Sequence, residues 1–267
     1  YNVPRIAFMN KMDKTGADFE MAVQTMVERL GAHPIPVQIP MGAESDFKGI
    51  IDLIQMKAIR WLNPEGTEYV YEEIPEEWRE KAEEAREDMI EKIAEVDDEI
   101  MMLYLEGEEP TEEQLHDALR RITIGNLGTP VFCGSAKMNV GIQPLLDGVI
   151  RYLPSPLDLP PVRGYDKNGN EVQVFPKEDA PFVAYAFKIQ TDPYVGKLTF
   201  LRVYSGRLEK GSYVINTTKG VKERVSRLIF LHADKREDVE YVRAGDIVGV
   251  IGMKSTITGD TVCEEGT

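Results

Sequence analysis

Apolar and polar residues alternate in a way that predicts a strand, a loop and a helix at the start of the chain. Residues 3–9 form a short, mostly apolar run, as in a strand that is buried on both faces of a parallel sheet. Asp18 is then placed to cap a helix that Gly31 would end. The apolar residues of this helix recur at helical spacing and are predicted to share one face: Phe19, Ala22, Val23, Met26, Val27 and Leu30.

A second unit of the same kind is predicted in residues 129–153. A buried strand over 129–133 leads into a loop over 134–141, and a helix begins near Ile142, with Pro144 tolerated in its first turn. The inward face of this helix is predicted to carry Leu145, Leu146, Val149, Ile150 and Leu153. Two such units indicate an α/β fold with a parallel sheet, in which ligands bind at the carboxyl ends of the strands.

Residues 38–124 separate the two units and are predicted to form an α+β insert subdomain of their own. The first part of this insert mixes strand and helix patterns around a turn at residues 63–66. Its second part is predicted to be helical because apolar residues recur at intervals of three and four, at Trp78, Ala82, Ala85, Met89, Ile93, Val96 and Ile100. Thr111 and Gln114 fit a capping box before a further helix.

Prolines at positions 154, 156, 160 and 161 predict a stiff linker. We therefore place one domain over residues 1–156 and a second over 157–267. In the second domain the apolar period becomes two. Strands are predicted over residues 182–189, 198–204, 213–217, 221–231 and 247–251, with turn signals between them. Short strands at this spacing fit an all-β barrel or a sandwich.

The composition is typical of a soluble globular protein in a reducing compartment. Apolar residues make up 42% and charged residues 29% of the 267 residues, and no apolar run approaches the length of a membrane span. Cys133 and Cys263 stand far apart, which argues against a disulfide framework and favours a cytoplasmic location. The start at Tyr1, without a leader or an initiating Met, suggests a cut within a longer protein.

The formal net charge of −15 is concentrated in one segment. Residues 72–113 hold 19 Asp or Glu against four Lys or Arg, and the rest of the chain holds 27 of each. Such an acidic helical segment repels nucleic acid and could attract a basic protein partner. The alternative is a solvated helical face that has no partner.

The tetrapeptide Asn10-Lys11-Met12-Asp13 directly follows the first predicted strand. The carboxylate of Asp13 can accept two hydrogen bonds from the N–H groups on the Watson–Crick edge of guanine, which adenine does not present. The stem of Lys11 can cover the base, and Asn10 can tie neighbouring loops together. Alternatively, the tetrapeptide is a polar loop in which Asp13 bonds to its own backbone.

Ser135-Ala136-Lys137 stands at the corresponding end of the second predicted strand. A backbone N–H in this loop, which we assign to Ala136, can donate to the guanine O6 acceptor, and Lys137 can cover the base opposite Lys11. By itself the tripeptide is better interpreted as an ordinary strand-to-helix turn. The two loops together predict guanine recognition by Asn10, Lys11, Asp13, Ser135, Ala136 and Lys137.

A second candidate surface is basic. Eight Lys or Arg residues against two Glu occur within residues 197–227, which suits contact with RNA phosphates. The bases are Lys197, Arg202, Arg207, Lys210, Lys219, Lys222, Arg224 and Arg227. Side chains in strands alternate between faces, so scattered solubilising charge is an equal alternative.

The 267 residues contain no Gly-x-x-x-x-Gly-Lys-Ser/Thr segment to cradle phosphates, and no Asp-x-x-Gly segment followed by a histidine that could position water. The three histidines His33, His116 and His232 have no catalytic partner nearby in the sequence. We therefore assign no catalytic residue and no metal ligand to these residues.

The two motifs and their surroundings resemble the elongation factor G family of translational GTPases. Asn10-Lys11-Met12-Asp13 looks like the fourth GTPase motif and Ser135-Ala136-Lys137 like the fifth, and residues 5–13 and 152–158 are similar to this family specifically. Residues 202–206 resemble its second domain, a β-barrel. Many translational GTPases carry a bulky apolar residue in place of Lys137.

The resemblance implies an internal part of a ribosomal translocase that couples GTP binding and hydrolysis to movement of tRNA and mRNA. GTP or GDP with magnesium is expected in the intact protein, and no tightly bound nucleotide in these 267 residues. The implied partner is the ribosome, reached through the large-subunit stalk protein at residues 72–113 and small-subunit rRNA at the β-barrel, by a monomer without membrane contact.

Two alternatives remain open. Another translational GTPase, of the peptide-release or ribosome-protection type, would share both motifs and the barrel. A non-enzymatic module that docks protein and RNA would use the acidic helices and the basic barrel alone.

Overall fold

The structure is a computed structural model that describes residues 2–233 and 235–267. The chain divides into two compact units between Pro154 and Ser155. The elements of the first unit are, in chain order, β1 (Ala7–Met9), α1 (Phe19–Leu30), β2 (Pro34–Pro36), β3 (Gln38–Met41), β4 (Gly49–Asp52), β5 (Lys57–Trp61), β6 (Tyr69–Glu72), α2 (Glu76–Ala94), α3 (Asp98–Glu106), α4 (Glu112–Ile124), β7 (Thr129–Cys133) and α5 (Ile142–Tyr152).

A parallel sheet in the order β1-β7-β2 forms the base of the first unit. Met9 at the end of β1 lies opposite Cys133 at the end of β7, so the loops that follow both strands leave the same edge of the sheet. Strand β1 is shorter than predicted and half-buried. Strand β1 is at the edge of the sheet, and its only ladder in the described chain is with β7. It is therefore not buried on both faces as we predicted, and Val3, at the start of the predicted strand, is exposed.

The insert contains an antiparallel sheet in the order β3-β4-β5-β6 and the helices α2 to α4. Its buried residues belong to the same hydrophobic cluster as those of the parallel sheet, for example Ile50 and Ile93 of the insert with Val131 of β7. The packing of the insert is thus continuous with that of the α/β layer.

Local capping signals place two helices of the first unit. Asp18 accepts a hydrogen bond from the backbone N–H of Met21, and Gly31 ends α1 in the left-handed region, as predicted. The capping box of Thr111 and Gln114 at the start of α4 is also confirmed. Two residues of the predicted inward face of α1, Val27 and Leu30, are exposed instead.

Helix α5 buries a different face from the one predicted. Its buried residues are Pro144, Gly148 and Tyr152. A Cβ on Gly148 would lie 2.3 Å from the ring of Phe132 in β7, so the closest approach of α5 to the sheet is made at a residue without a side chain. Three of the apolar residues that we assigned to the inward face are exposed: Leu146, Val149 and Ile150.

The second unit is built from β-strands. They are β8 (Val162–Tyr165), β9 (Glu171–Val174), β10 (Val183–Asp192), β11 (Gly196–Ser205), β12 (Arg207–Glu209), β13 (Tyr213–Asn216), β14 (Val221–Arg224), β15 (Arg227–His232), β16 (Lys235–Val239), β17 (Tyr241–Arg243), β18 (Ile247–Ile251) and β19 (Thr261–Cys263).

Eight of these strands form one antiparallel sheet in the order β14-β13-β19-β10-β11-β18-β15-β16. Buried side chains from both halves of the sheet, such as Val214 of β13 and Leu228 of β15, belong to one cluster, so the sheet curves around a single core. No ladder joins the end strands β14 and β16 within the described residues. The predicted fold class, a parallel α/β sheet followed by an all-β domain, is confirmed. None of the helices in the described chain has the length and apolar composition that a membrane span requires.

Candidate nucleotide-binding site

The loops after β1 and β7 are joined by their backbones. The N–H of Met12 donates to the carbonyl of Gly134 at 3.0 Å, and the N–H of Gly134 donates to the carbonyl of Met9 at 3.0 Å. Gly134 is required at this contact, because a Cβ there would lie 2.2 Å from the carbonyl oxygen of Val140. The two sequence motifs therefore lie side by side at the carboxyl edge of the parallel sheet.

Asn10 connects the two motifs through its side chain. Its Oδ1 accepts hydrogen bonds from the backbone N–H of Ala136 at 2.9 Å and from that of Lys11 at 2.7 Å. Lys11 has a φ of 64°, a left-handed conformation that costs a residue other than glycine about 1–2 kcal/mol. The Asn10 amide thus holds a strained loop against its neighbour.

The backbone N–H of Ala136 has a protein partner in the structure. We expected its N–H to face guanine O6, whereas in the structure this N–H donates to Asn10. Ala136 begins a 3₁₀ turn, Ala136–Met138, whose next N–H belongs to Lys137. No hydrogen bond is recorded for the Lys137 N–H among the described residues.

Asp13 and Ser135 face each other across the two loops with unused hydrogen-bonding atoms. Asp13 Oδ1 and Ser135 Oγ are both buried, and neither has a hydrogen-bond partner in the described chain. Buried polar atoms in native proteins are normally satisfied. The Ser135 hydroxyl beside Asp13 can satisfy the carboxylate only in part, because an ionised carboxylate accepts several hydrogen bonds. The N–H groups of a guanine edge fit a carboxylate acceptor of this kind, so the residues present fit the base.

Asp13 remains ionised at neutral pH. The adjacent Ser135 hydroxyl lowers the pKa of Asp13, and Lys14, whose Nζ lies 3.2 Å from Asp13 Oδ2, lowers it further. The pairing of Lys14 with Asp13 was not predicted, and its only sequence signal is a cation next to the motif. The ion pair with Lys14 occupies Asp13 Oδ2 and leaves Oδ1 as an acceptor for a ligand.

The two lysines that we expected to cover the base are exposed. Lys11 projects from the strained loop and Lys137 from the 3₁₀ turn. Neither has an ion pair recorded within residues 2–233 and 235–267. Both side chains are thus available to lie over a planar ligand.

The basic segment 197–227 is largely neutralised in the folded chain. Lys210, Lys222 and Arg227 pair with carboxylates that lie outside the segment, and so do Arg207 and Lys219. Lys197 donates to the backbone carbonyls of residues 254 and 256. Arg202 and Arg224 are the two bases of the segment without a recorded side-chain partner in the described chain. The sequence count of +6 therefore overstates the charge that is free to meet RNA.

Comparison with known proteins matches both units of the chain. Residues 1–155 match the family model "Elongation factor Tu GTP binding domain", and residues 181–265 match "Elongation factor G domain 2". The chain is 88% identical over 267 residues to elongation factor G of Fervidobacterium nodosum, covering 100% of this chain and 39% of the relative. It is 62% identical over 266 residues to elongation factor G of Thermotoga maritima, covering 99% and 38%.

A solved structure supports the same architecture. A crystal structure of a protein from Thermus thermophilus superposes with a TM-score of 0.78 at 29% sequence identity, over 100% of this chain and 37% of that one. The chain thus spans well under half the length of the relatives that it matches.

Proposed function

The chain belongs to the elongation factor Tu GTP-binding domain family, and we propose that it is the guanine-reading part of a longer ribosomal translocase of the elongation factor G type. In such a protein GTP binding and hydrolysis are coupled to the movement of tRNA and mRNA. The observation that carries the proposal is the buried, unsatisfied pair of Asp13 Oδ1 and Ser135 Oγ at the joined ends of β1 and β7. A docking module without a nucleotide would leave the remaining acceptor capacity of this buried carboxylate unused.

Each site residue has a separate part in the proposed recognition. Asp13 accepts the N–H donors of the guanine edge, and Ser135 orients the carboxylate. Asn10 keeps the two loops together, Lys137 offers its backbone N–H to O6, and the stems of Lys11 and Lys137 cover the faces of the base. Bound GTP with magnesium supplies the hydrolysable phosphate, which would be held by residues outside this chain.

The experiment for this proposal is a nucleotide competition on the full-length, cytoplasmic protein that contains the chain. We expect GDP to displace a labelled guanine nucleotide at least about a hundredfold more effectively than ADP, because adenine offers no paired N–H donors to Asp13 and no O6 acceptor. We also expect ribosomes to accelerate GTP hydrolysis. Equal displacement by ADP and GDP would contradict the proposed site.

We further propose the insert as the contact for the stalk protein of the large ribosomal subunit. Helix α2 exposes Glu76, Glu80, Glu83 and Glu87, which lie three or four residues apart and therefore share one side of the helix. Its opposite side, with Ala82, Met89 and Ile93, is buried. An acidic face of this kind fits a basic protein surface.

The proposal for the second unit is contact with small-subunit rRNA. Five bases of the segment form ion pairs, and Lys197 donates to backbone carbonyls. Arg202 on β11 and Arg224 on β14 are therefore the bases that remain for phosphate groups among the described residues. This narrows the proposed RNA contact from eight residues to two.

A further inference from the structure

The turn between β5 and β6 in the insert contacts the loop that carries the second guanine motif. Asn139, at the end of the 3₁₀ turn, donates from Nδ2 to the carbonyls of Gly66 at 2.9 Å and Glu65 at 3.3 Å. Gln143, in the first turn of α5, donates from Nε2 to the carbonyl of Gly66 at 2.7 Å. Its Oε1 accepts from the indole N–H of Trp61 at 3.1 Å. The loop and the start of α5 are thus both attached to the insert hairpin.

The hairpin turn is a rigid support. Asn63 Oδ1 accepts from the backbone N–H groups of Thr67 at 2.9 Å and Glu68 at 3.1 Å, and its Nδ2 donates to Thr67 Oγ1 at 2.7 Å. The turn therefore keeps its shape through its own hydrogen bonds. The carbonyl of Gly66, which both Asn139 and Gln143 use, is presented from a fixed position.

The approach of the turn to the loop is too close for a side chain on Gly66. A Cβ there would lie 2.4 Å from the carbonyl oxygen of Met138 and 2.7 Å from the Cβ of Asn139. Gly66 has a φ of 65° and Asn139 a φ of 55°, so both sides of the contact use the left-handed region that glycine and asparagine tolerate best. The close contact between the turn and the loop therefore explains why glycine occupies position 66 and asparagine position 139.

The contact holds the end of the guanine-facing loop that Asn10 does not reach. Asn10 holds the first residue of the 3₁₀ turn, Ala136, from the side of β1. Asn139 holds the last part of the turn from the side of the insert. The N–H of Lys137 lies between these two attachments. A hydrogen bond to O6 requires that its donor lie within a few tenths of an ångström of the correct position. The attachments at Ala136 and Asn139 together fix the position of the Lys137 N–H.

We propose that the β5–β6 turn positions the O6 donor of the guanine site, with Asn139 and Gly66 as the positioning residues. This inference rests on the proposed function, because it needs a guanine base at Asp13. The insert would then have two roles, which are contact with the stalk protein and support of the guanine-binding loop. The base edge is read by Asp13 at one end and by an N–H held through the insert at the other.

The test compares three nucleotides on the full-length protein. GDP carries all the contacts, inosine diphosphate lacks the 2-amino group that faces Asp13, and 6-thioguanosine diphosphate keeps the N–H donors but replaces O6 by sulfur, a weak acceptor. We expect Asn139→Ala to weaken GDP and inosine diphosphate binding alike, by about three- to tenfold, the size of one neutral hydrogen bond. The affinity for the thio analogue should change little. The wild type should bind GDP more tightly than the thio analogue, whereas Asn139→Ala should bind the two with nearly equal affinity.

Gly66→Ala acts on the same contact from the insert side and should give the same pattern. Matched controls are Asn126→Ala and Gly107→Ala. Asn126 has a φ of 56° and donates its side-chain amide to the Asn2 carbonyl, and Gly107 has a φ of 72° with no atom within 4 Å of an added Cβ. These controls carry the same change of residue type without touching the guanine loop, and we expect their three affinities to match those of the wild type.

The outcomes separate the inference from the proposed function. If both Asn139→Ala and Gly66→Ala lower all three affinities by the same factor, or leave the ratio of GDP to the thio analogue unchanged, the positioning role is overturned while guanine recognition stands. If the wild type itself does not prefer GDP to inosine diphosphate, the proposed function fails first. A fall in the ratio of GDP to the thio analogue in both variants, with constant ratios in both controls, supports the inference.

Discussion

Asp13→Asn in the full-length protein is expected to weaken GDP binding by roughly ten- to a hundredfold. The substitution replaces a carboxylate oxygen by an amide N–H donor that faces the N–H donors of guanine, and a buried donor left without an acceptor costs about 1–3 kcal/mol. Xanthine carries a carbonyl in place of the 2-amino group, so the new donor finds an acceptor. Binding of xanthosine diphosphate should therefore become tighter than in the wild type.

The measurement is a competition titration of both nucleotides against a labelled guanine nucleotide, with Asp18→Asn as the matched control. Asp18 caps α1 only five residues away, and asparagine caps helices as well as aspartate does, so this control should bind GDP like the wild type. An unchanged preference for GDP over xanthosine diphosphate in Asp13→Asn would remove Asp13 from its assigned role.

Reversing the charge of Glu76, Glu80, Glu83 and Glu87 to lysine is expected to slow association with the ribosome by about tenfold or more at low salt. All four side chains are exposed on α2, and only Glu76 has a recorded ion pair in the described chain, to Arg79. Charges on such a surface act over about 8 Å at physiological salt and change the encounter rate more than the lifetime of the complex.

Stopped-flow binding across a salt series measures this effect. Association of the wild type should slow as salt rises, whereas the reversed variant should be slower at every salt concentration and less dependent on it. Replacing the same four residues by glutamine gives half the change in charge and should give an intermediate rate. Equal rates and equal salt slopes for the three proteins would mean that the acidic side of α2 is a solvated face without a partner.

Signals that depend on a few adjacent residues were sufficient to predict much of the fold. The Asp18 cap, the Thr111 capping box and the strand over Thr129–Cys133 each follow from residues within one element. The acidic helices were predicted as one continuous stripe through residue 100, whereas α2 ends at Ala94 and Asp97 caps α3. Apolar spacing continues across this break, so periodicity alone cannot locate it.

The buried face of α5 shows what the apolar pattern cannot supply. Sequence periodicity favours the side with most leucine, isoleucine and valine, but Gly148 packs on the Phe132 ring because a small residue allows the closest approach. Which side of a helix meets the sheet depends on the shape of the facing residue, and that residue lies in another element.

The adjacency of the two predicted loops could be inferred from the sequence, but not all of the contacts between them could. Asp13, Ser135 and Asn10 come together because β1 and β7 are adjacent parallel strands, which the two strand-loop-helix patterns indicate. The use of the Ala136 N–H by Asn10 and the attachment of Asn139 to Gly66 are contacts between residues far apart in the chain. No local pattern encodes them.

The most direct test of guanine recognition is a crystal structure of the full-length protein with bound GDP. We predict that the guanine base lies between the stems of Lys11 and Lys137, with its N1–H and 2-amino groups within about 2.7–3.2 Å of the Asp13 carboxylate. Its O6 should accept from the Lys137 N–H. A base bound elsewhere, or an Asp13 carboxylate that makes no contact with the base, would contradict the account.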